Sequence, residues 1–252
     1  VRFQFIPPFK TEYAPGQERR AVRCLGELED EGFLEGIQWD LAQGIPGPAP
    51  DTREDMASVL AGVLKRVREA CESRKYDALI LLGGLEPGLY AAKEIATQFG
   101  IPLVGGTSSE IAFASLLGNR YSVIEALEWM AIANRQNILL YGMNEKCASV
   151  RSIEWHPTSL KGDPPEAADA FVRESIEAIE KDGADVIVVG CNALLWIQPI
   201  AQRRLKELGY DVPVLHPYRC AIEMAKALVN MKVSQSKFAF PTGTPKKKSI
   251  PR

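Results

Sequence analysis

Two short runs with no polar face constrain this chain more than any other feature. Tyr76-Asp77-Ala78-Leu79-Ile80-Leu81-Leu82-Gly83-Gly84 and Gly183-Ala184-Asp185-Val186-Ile187-Val188-Val189-Gly190-Cys191-Asn192 each pass from an aspartate through uninterrupted apolar residues into glycine. A strand that is apolar on both faces belongs in a parallel sheet covered by helices on both sides. With Asp77 laid on Asp185, Gly83 falls on Cys191, so one copy ends in a thiol and the other does not. The echo continues: each run leads through a helical stretch to a strand opened by an Ile/Val-Pro pair, Ile101-Pro102-Leu103-Val104 in one copy and Val212-Pro213-Val214-Leu215 in the other. The expected fold class is α/β, with two pseudo-symmetric doubly wound lobes of parallel sheet and an active-site cleft between them. Residues 1–105 plus 210–231 form the first lobe in this reading and 106–209 the second.

The remaining elements fit that frame. Arg2-Phe3-Gln4-Phe5-Ile6 reads as a first strand stopped by Pro7-Pro8, and Ile37-Gln38-Trp39-Asp40-Leu41 as a second. Helical spacing covers residues 17–31, 51–73, 89–99, 127–141, 166–181, 197–208 and 217–231, with Asp51 or Thr52 capping the second and Gly32, Gly100 and Gly142 closing three others. Further strands are expected at 121–124, 148–155 and 212–216. A short helix at 110–117 takes Ser108 or Ser109 as its cap. Residues 232–252 carry Pro241, Pro245, Pro251 and Lys246-Lys247-Lys248, bury little apolar surface, and are expected to form a basic C-terminal tail, disordered or draped on a partner.

Composition excludes several classes. The 252 residues carry a net charge of −2, which gives no electrostatic case for nucleic acid or an anionic membrane. No apolar run reaches the ~18 residues of a membrane span, and no signal peptide is evident at the start, so a cytoplasmic location is expected. Five cysteines without a Cys-x-x-Cys pair and only two histidines argue against a disulfide framework or a metal site. Cys24, Cys71, Cys147 and Cys220 read as small buried hydrophobes.

Ligands of such sheets bind beyond the carboxyl ends of the strands. That edge carries Gly83, Gly84 and Glu86, then Gly105-Gly106-Thr107-Ser108-Ser109, Glu125, Cys191 with Asn192, and His216. Thr107 and Ser108 serve there either as helix caps or as donors to a substrate carboxylate. A small-molecule carboxylate or ureide is the expected partner, with no nucleic acid or membrane, and a homo-oligomer is the expected assembly.

The order and spacing of Asp77-Ala78 with Gly83-Gly84-Leu85-Glu86-Pro87-Gly88, Val104-Gly105, Arg120-Tyr121-Ser122-Val123, Gly183-Ala184-Asp185 with Gly190-Cys191, and Val212-Pro213-Val214 resemble the aspartate/glutamate/hydantoin racemase superfamily. The resemblance covers roughly residues 1–231 and is nearest the hydantoin and allantoin racemase branch. It implies a cofactor-independent racemase or isomerase in which two cysteines, one per lobe, flank the α-carbon of the substrate. One thiolate removes the proton and the opposite thiol delivers another.

Several positions depart from that pattern. Gly83 stands at the first-lobe cysteine position, so the two-thiol shuttle is broken. Ile6-Pro7-Pro8 replaces polar substrate-contacting residues, Glu125 stands where relatives commonly have threonine, and His216 where hydantoin racemases tend to have aspartate. Three expectations follow. Cys191 works with a non-cysteine partner, Glu86 or Glu125, in a racemase or isomerase acting on a small amino acid, carboxylate or hydantoin. Alternatively the chain resembles the single-cysteine arylmalonate decarboxylases, which also keep only the second-lobe thiol. In the third, the pocket binds a small acid or ureide without turning it over.

Overall fold

The computed structural model describes residues 1–10, 20–47, 50–159 and 162–241. In chain order the regular elements are β1 (Arg2–Ile6), α1 (Arg20–Asp30), β2 (Gln38–Leu41), α2 (Arg53–Ser58), α3 (Leu60–Ser73), β3 (Ala78–Leu81), α4 (Leu89–Phe99), β4 (Leu103–Gly105) and α5 (Gly106–Leu117). There follow β5 (Tyr121–Glu125), α6 (Glu128–Tyr141), β6 (Cys147–Ser152), α7 (Pro165–Glu180), β7 (Val186–Val189), α8 (Ile197–Glu207) and α9 (Pro217–Asn230). They build two wholly parallel sheets, one ordered β2-β1-β3-β4 and the other β6-β5-β7.

The two apolar runs are the sheet interiors. Along β3, Ala78 and Ile80 point into a core shared with Phe3, Phe5, Leu25 and Ile222. Leu79 and Leu81 point the other way, against Val63, Val67 and Leu103. β7 repeats the arrangement: Ile187 and Val189 join Phe171, Ala201 and Leu205, while Val186 and Val188 join Ile111, Ala131 and Ile138. Each Leu, Ile and Val of the two strands leaves water almost completely and contributes roughly 1.5–3 kcal/mol, enough to dictate a two-sided helical cover. The paired aspartates do the same local job, Asp77 accepting from Arg2 N and Asp185 from Asn119 N and Arg120 N.

Four expectations need correcting. The helix read over 51–73 is two segments, α2 and α3, meeting at Val59; Thr52 caps the first through a reciprocal pair of hydrogen bonds with Asp55. α5 begins at Gly106, directly off β4, so Ser108 and Ser109 lie inside its first turn instead of capping it. Residues 212–216 form no full strand. Val214 makes one bridge to Ile187, and two glutamines of α8 occupy the rest of the edge: Gln198 donates to Val214 O, and Gln202 donates to Val212 O and accepts from Val214 N. The Val214 bridge lies on the second sheet, the chain turns at His216, and α9 then packs on β3 and β4 of the first. Finally, the start of the tail folds back. Gln235 clasps both backbone groups of Leu103 on the edge strand β4, and the Phe240 ring tilts onto Tyr90. The lysine cluster at 246–248, with Pro245 and Pro251, lies outside the described residues.

Among the described residues, no helix is long and apolar enough to cross a membrane, and no group of three or more His, Cys, Asp or Glu is placed to hold a metal ion.

Candidate active site

β3 and β7 run out into the same cleft, and their ends touch. A Cβ on Gly84 would lie 1.8 Å from Gly190 O and 3.0 Å from the Cys191 Cα, so only glycine allows the two lobes to meet this closely. Beside this contact is a cavity of about 130 Å³, the size that takes a benzene-like guest. One wall is Pro7, Pro8, Gly83, Gly84 and Leu85; the other is Glu125, Met130, Cys191, Asn192 and Ala193, with Arg20, Met56 and Tyr218 at the sides.

Gly83 has φ +99°, a conformation that side chains rarely adopt, and an added Cβ would approach Pro8 Cγ to 2.8 Å. The first-lobe thiol position is therefore closed twice, by backbone conformation and by the proline ring over it.

On the facing wall, Cys191 follows β7 at the start of a short 3-10 turn, its side chain making no well-formed capping hydrogen bond there. Burial, reinforced by the nearby Glu125 charge, pushes the thiol up to about 12, so at rest it is protonated. Glu125 ends the neighbouring strand β5, which pairs with β7 through Ile124 and Val189. Its carboxyl group lies over the Gly190 backbone, where a Cβ would come within 2.6 Å of Oε1. Asn134 Nδ2 donates to that oxygen at 2.7 Å, and Oε2 has no partner among the described residues. Burial raises Glu125 to about 7, against the opposing hydrogen bonds from Asn134 and the Ala126 backbone. A thiol that holds its proton thus stands beside a carboxyl group half ionised near neutrality.

The other sequence candidates divide. Gly83, Gly84 and Asn192 line the cavity, and neither polar atom of Asn192 has a well-formed hydrogen bond among the described residues. Glu86 does not line it. Held at φ +48°, it turns away, accepts from Ser108 N at 2.9 Å and Ser108 Oγ at 3.0 Å, and receives the Tyr141 hydroxyl at 2.5 Å. Ser108 is thereby engaged, and Thr107 is buried outside the cavity, its hydroxyl without a partner among the described residues. His216 caps α9, its Nδ1 accepting from Tyr218 N and Arg219 N, and its Nε2 lies 3.7 Å from Cys24 Sγ. Burial and the Arg219 charge hold His216 down to about 4, so it is a neutral cap whose ring faces Cys24, outside the cavity.

Sequence reasoning missed Arg20 and Tyr218. Arg20, paired with Asp163 at 2.9 Å, opens α1 and lines the cavity with a positive charge that acts on the thiol. Tyr218 is fully buried in the first turn of α9, and a lone aromatic after Pro217 carries no pattern that marks it as part of a site.

Comparison with known proteins agrees with this architecture. The sequence profile described as Asp/Glu/Hydantoin racemase matches residues 18–228. A hydantoin racemase of Rhizobium meliloti is 30% identical over 190 residues, 74% of this chain and 75% of that protein. Among solved structures, an allantoin racemase from Klebsiella pneumoniae superposes with a TM-score of 0.81 at 24% identity, over 100% of this chain and 96% of the other. A liganded double mutant of arylmalonate decarboxylase, glycine to cysteine and cysteine to serine, superposes with a TM-score of 0.63 at 16% identity, over 90% and 92% of the two chains.

Proposed function

Because the chain belongs to the Asp/Glu/hydantoin racemase family, we propose that it is a cofactor-independent racemase of the hydantoin or allantoin type, moving a proton at the α-carbon of a small ureide or carboxylate with Cys191 and Glu125 as its acid–base pair. The observation that carries this reading is the juxtaposition of these two groups on one wall of the cavity. The α-proton of an acid or hydantoin is weakly acidic, so its removal needs a base close to neutrality and an acid ready to return a proton. Glu125, at about 7, is ionised often enough to accept it, and Cys191, at about 12, arrives protonated. The nearby Ala193 backbone and the Arg20 cation both pull the thiol downward, against burial, and so favour the thiolate left after transfer. The largely apolar walls exclude water and strengthen each of these interactions.

The opposite wall favours a second reading. Pro7, Pro8, Gly83, Gly84 and Leu85 offer no titratable group, and burial pushes the Tyr218 hydroxyl, at the side, well above its ordinary range, so near neutrality proton delivery comes from the Cys191 side. One-sided protonation is all that decarboxylation of an arylmalonate-like diacid requires: carbon dioxide leaves with the bonding pair on the α-carbon, and the thiol protonates the resulting enediolate from its own face. Inversion from the same wall requires the planar intermediate to turn over between deprotonation and reprotonation.

Proton NMR in deuterated buffer with 5-substituted hydantoins, allantoin, amino acids and arylmalonates separates these. α-Deuteration with loss of optical rotation supports the racemase. Carbon dioxide release with a single enantiomer supports the decarboxylase. Binding without either outcome would make the site a receptor, and turnover surviving in Cys191→Ser would remove the thiol from both mechanisms.

A further inference from the structure

We propose that Glu110 is a positioning residue for Cys191: its carboxyl group completes the outer edge of β7 and thereby fixes where the thiol stands against the first-lobe wall. The inference rests on Cys191 being the reactive group of the proposed function. β7 has β5 on one side, and Gly190 N donates across it to Ile124 O at 2.9 Å. On its other side the ladder is brief. Ile187 N donates to Pro213 O at 2.9 Å and Leu215 N to Ile187 O at 2.8 Å, after which the chain turns away at His216 into α9. The next N–H on that edge is Val189, two residues before the thiol, and among the described residues no strand reaches it.

Glu110 Oε1 accepts that N–H at 3.2 Å. The side chain is fully buried, and Oε2 has no partner among the described residues. Burying a carboxyl group for one backbone donor costs more than the hydrogen bond returns, so stability alone gives no reason for an acid here. Placement does. α5 grows directly out of β4 of the first sheet and packs on β7 of the second, so Glu110 ties the cysteine strand to a helix rooted in the opposite lobe. Between Val189 and Cys191 stands only Gly190, whose missing side chain makes room for Glu125. The backbone that carries the thiol is therefore held by hydrogen bonds on its two edges, and Glu110 supplies the outer one.

Two variants and one probe test this. Glu110→Met keeps the length and apolar packing but accepts poorly from an N–H; Glu110→Gln keeps an acceptor at the same place. Iodoacetamide is the probe, its rate at Cys191 followed by mass spectrometry of the peptide containing it, with hydrogen exchange of the Val189 amide measured in parallel. In Glu110→Met, Val189 exchange and Cys191 alkylation are each expected to quicken by about tenfold, the first through local opening and the second through a less buried thiol. Glu110→Gln is expected to stay within about twofold of the parent, since its amide oxygen replaces the acceptor. A folded Glu110→Met with parental alkylation, or a Glu110→Gln that changes as much as Met does, overturns the proposal. Should Glu110→Met not fold, the parent still decides: a Val189 amide that exchanges like an open edge, far faster than Ile187 and Gly190, sinks the idea, and equal protection with a parental Glu110→Gln supports it. Neither readout needs a substrate, so a failed substrate panel would count against the racemase reading alone.

Discussion

Glu125 and Cys191 are pushed in the same direction by burial, and the consequences differ because one is a carboxylic acid and the other a thiol. In the folded chain Glu125 holds its proton up to about pH 7, whereas unfolded it releases it near 4.5. The folded state therefore binds the extra proton between these values, and stability falls as pH rises through that window. Glu125→Gln removes the ionisation while keeping an oxygen for Asn134. It should raise stability by roughly 2–3 kcal/mol at pH 8 and by little at pH 4.5, at the cost of at least tenfold in turnover. Denaturant unfolding at the two pH values checks this; an equal gain at both would show that Glu125 is not buried as an acid. A different kind of constraint acts at Gly83. Gly83→Cys restores a second thiol in name only, since its Cβ meets Pro8 Cγ at 2.8 Å on a backbone at φ +99°. It is expected to lose roughly 1–3 kcal/mol of stability and to gain no racemisation. If Gly83→Cys alone speeds α-deuteration with inversion, Pro8 does not close the first-lobe position.

At the scale of elements, the sequence disclosed what periodicity encodes. β3 and β7 are placed by pattern because strands apolar on both faces have one environment open to them, and the strand ends that follow put Gly83, Gly84, Glu125, Cys191 and Asn192 around one cavity. What periodicity does not encode is where a side chain turns after a strand ends. Glu86 sits three residues past Gly83 on a left-handed backbone, and that one dihedral sends it to Ser108 and Tyr141. Residues 212–215 carry a strand-like pattern, yet side-chain amides from α8 satisfy much of their edge, a substitution of partners that no local pattern announces. His216 illustrates the same limit: pattern marks a histidine after a strand-like run, and the fold makes its ring the cap of α9. His216→Ala should cost about 1 kcal/mol through loss of the cap, with His216→Asn recovering most of it and turnover per folded molecule unchanged in both. Because the folded value, about 4, lies below the unfolded 6.5, the contribution of His216 is fully present above pH 6.5 and is lost as pH falls through 4. Thermal midpoints of the parent and His216→Asn at pH 5 and 7.5 test that sign: nearly equal at pH 7.5, the parent should melt below His216→Asn at pH 5.

For the whole molecule, the cavity exists because two lobes are held at one separation, and the contacts that hold them differ in how much they yield. Tyr141 of α6 donates to Glu86, Asn137 to Leu85 O, and Tyr90 of α4 to Leu140 O, each a hydrogen bond that a small rotation can lengthen. Gly84 against Gly190 is backbone on backbone and cannot yield without moving a sheet. Tyr141→Phe removes one hydrogen bond and leaves the chain path alone, so it should cost roughly 1–2 kcal/mol, with the Michaelis constant unchanged for whichever substrate the panel identifies. Gly84→Ala must relieve a 1.8 Å approach to Gly190 O by parting the walls. Its expected signature is a loss of turnover much larger than its loss of stability, because a displacement of about 1 Å between reacting groups can cost a hundredfold in rate. Unfolding curves set beside deuterium-exchange rates for the two variants separate these cases. A Gly84→Ala protein that keeps parental turnover would mean that the Gly84–Gly190 contact does not set the distance across which Cys191 works.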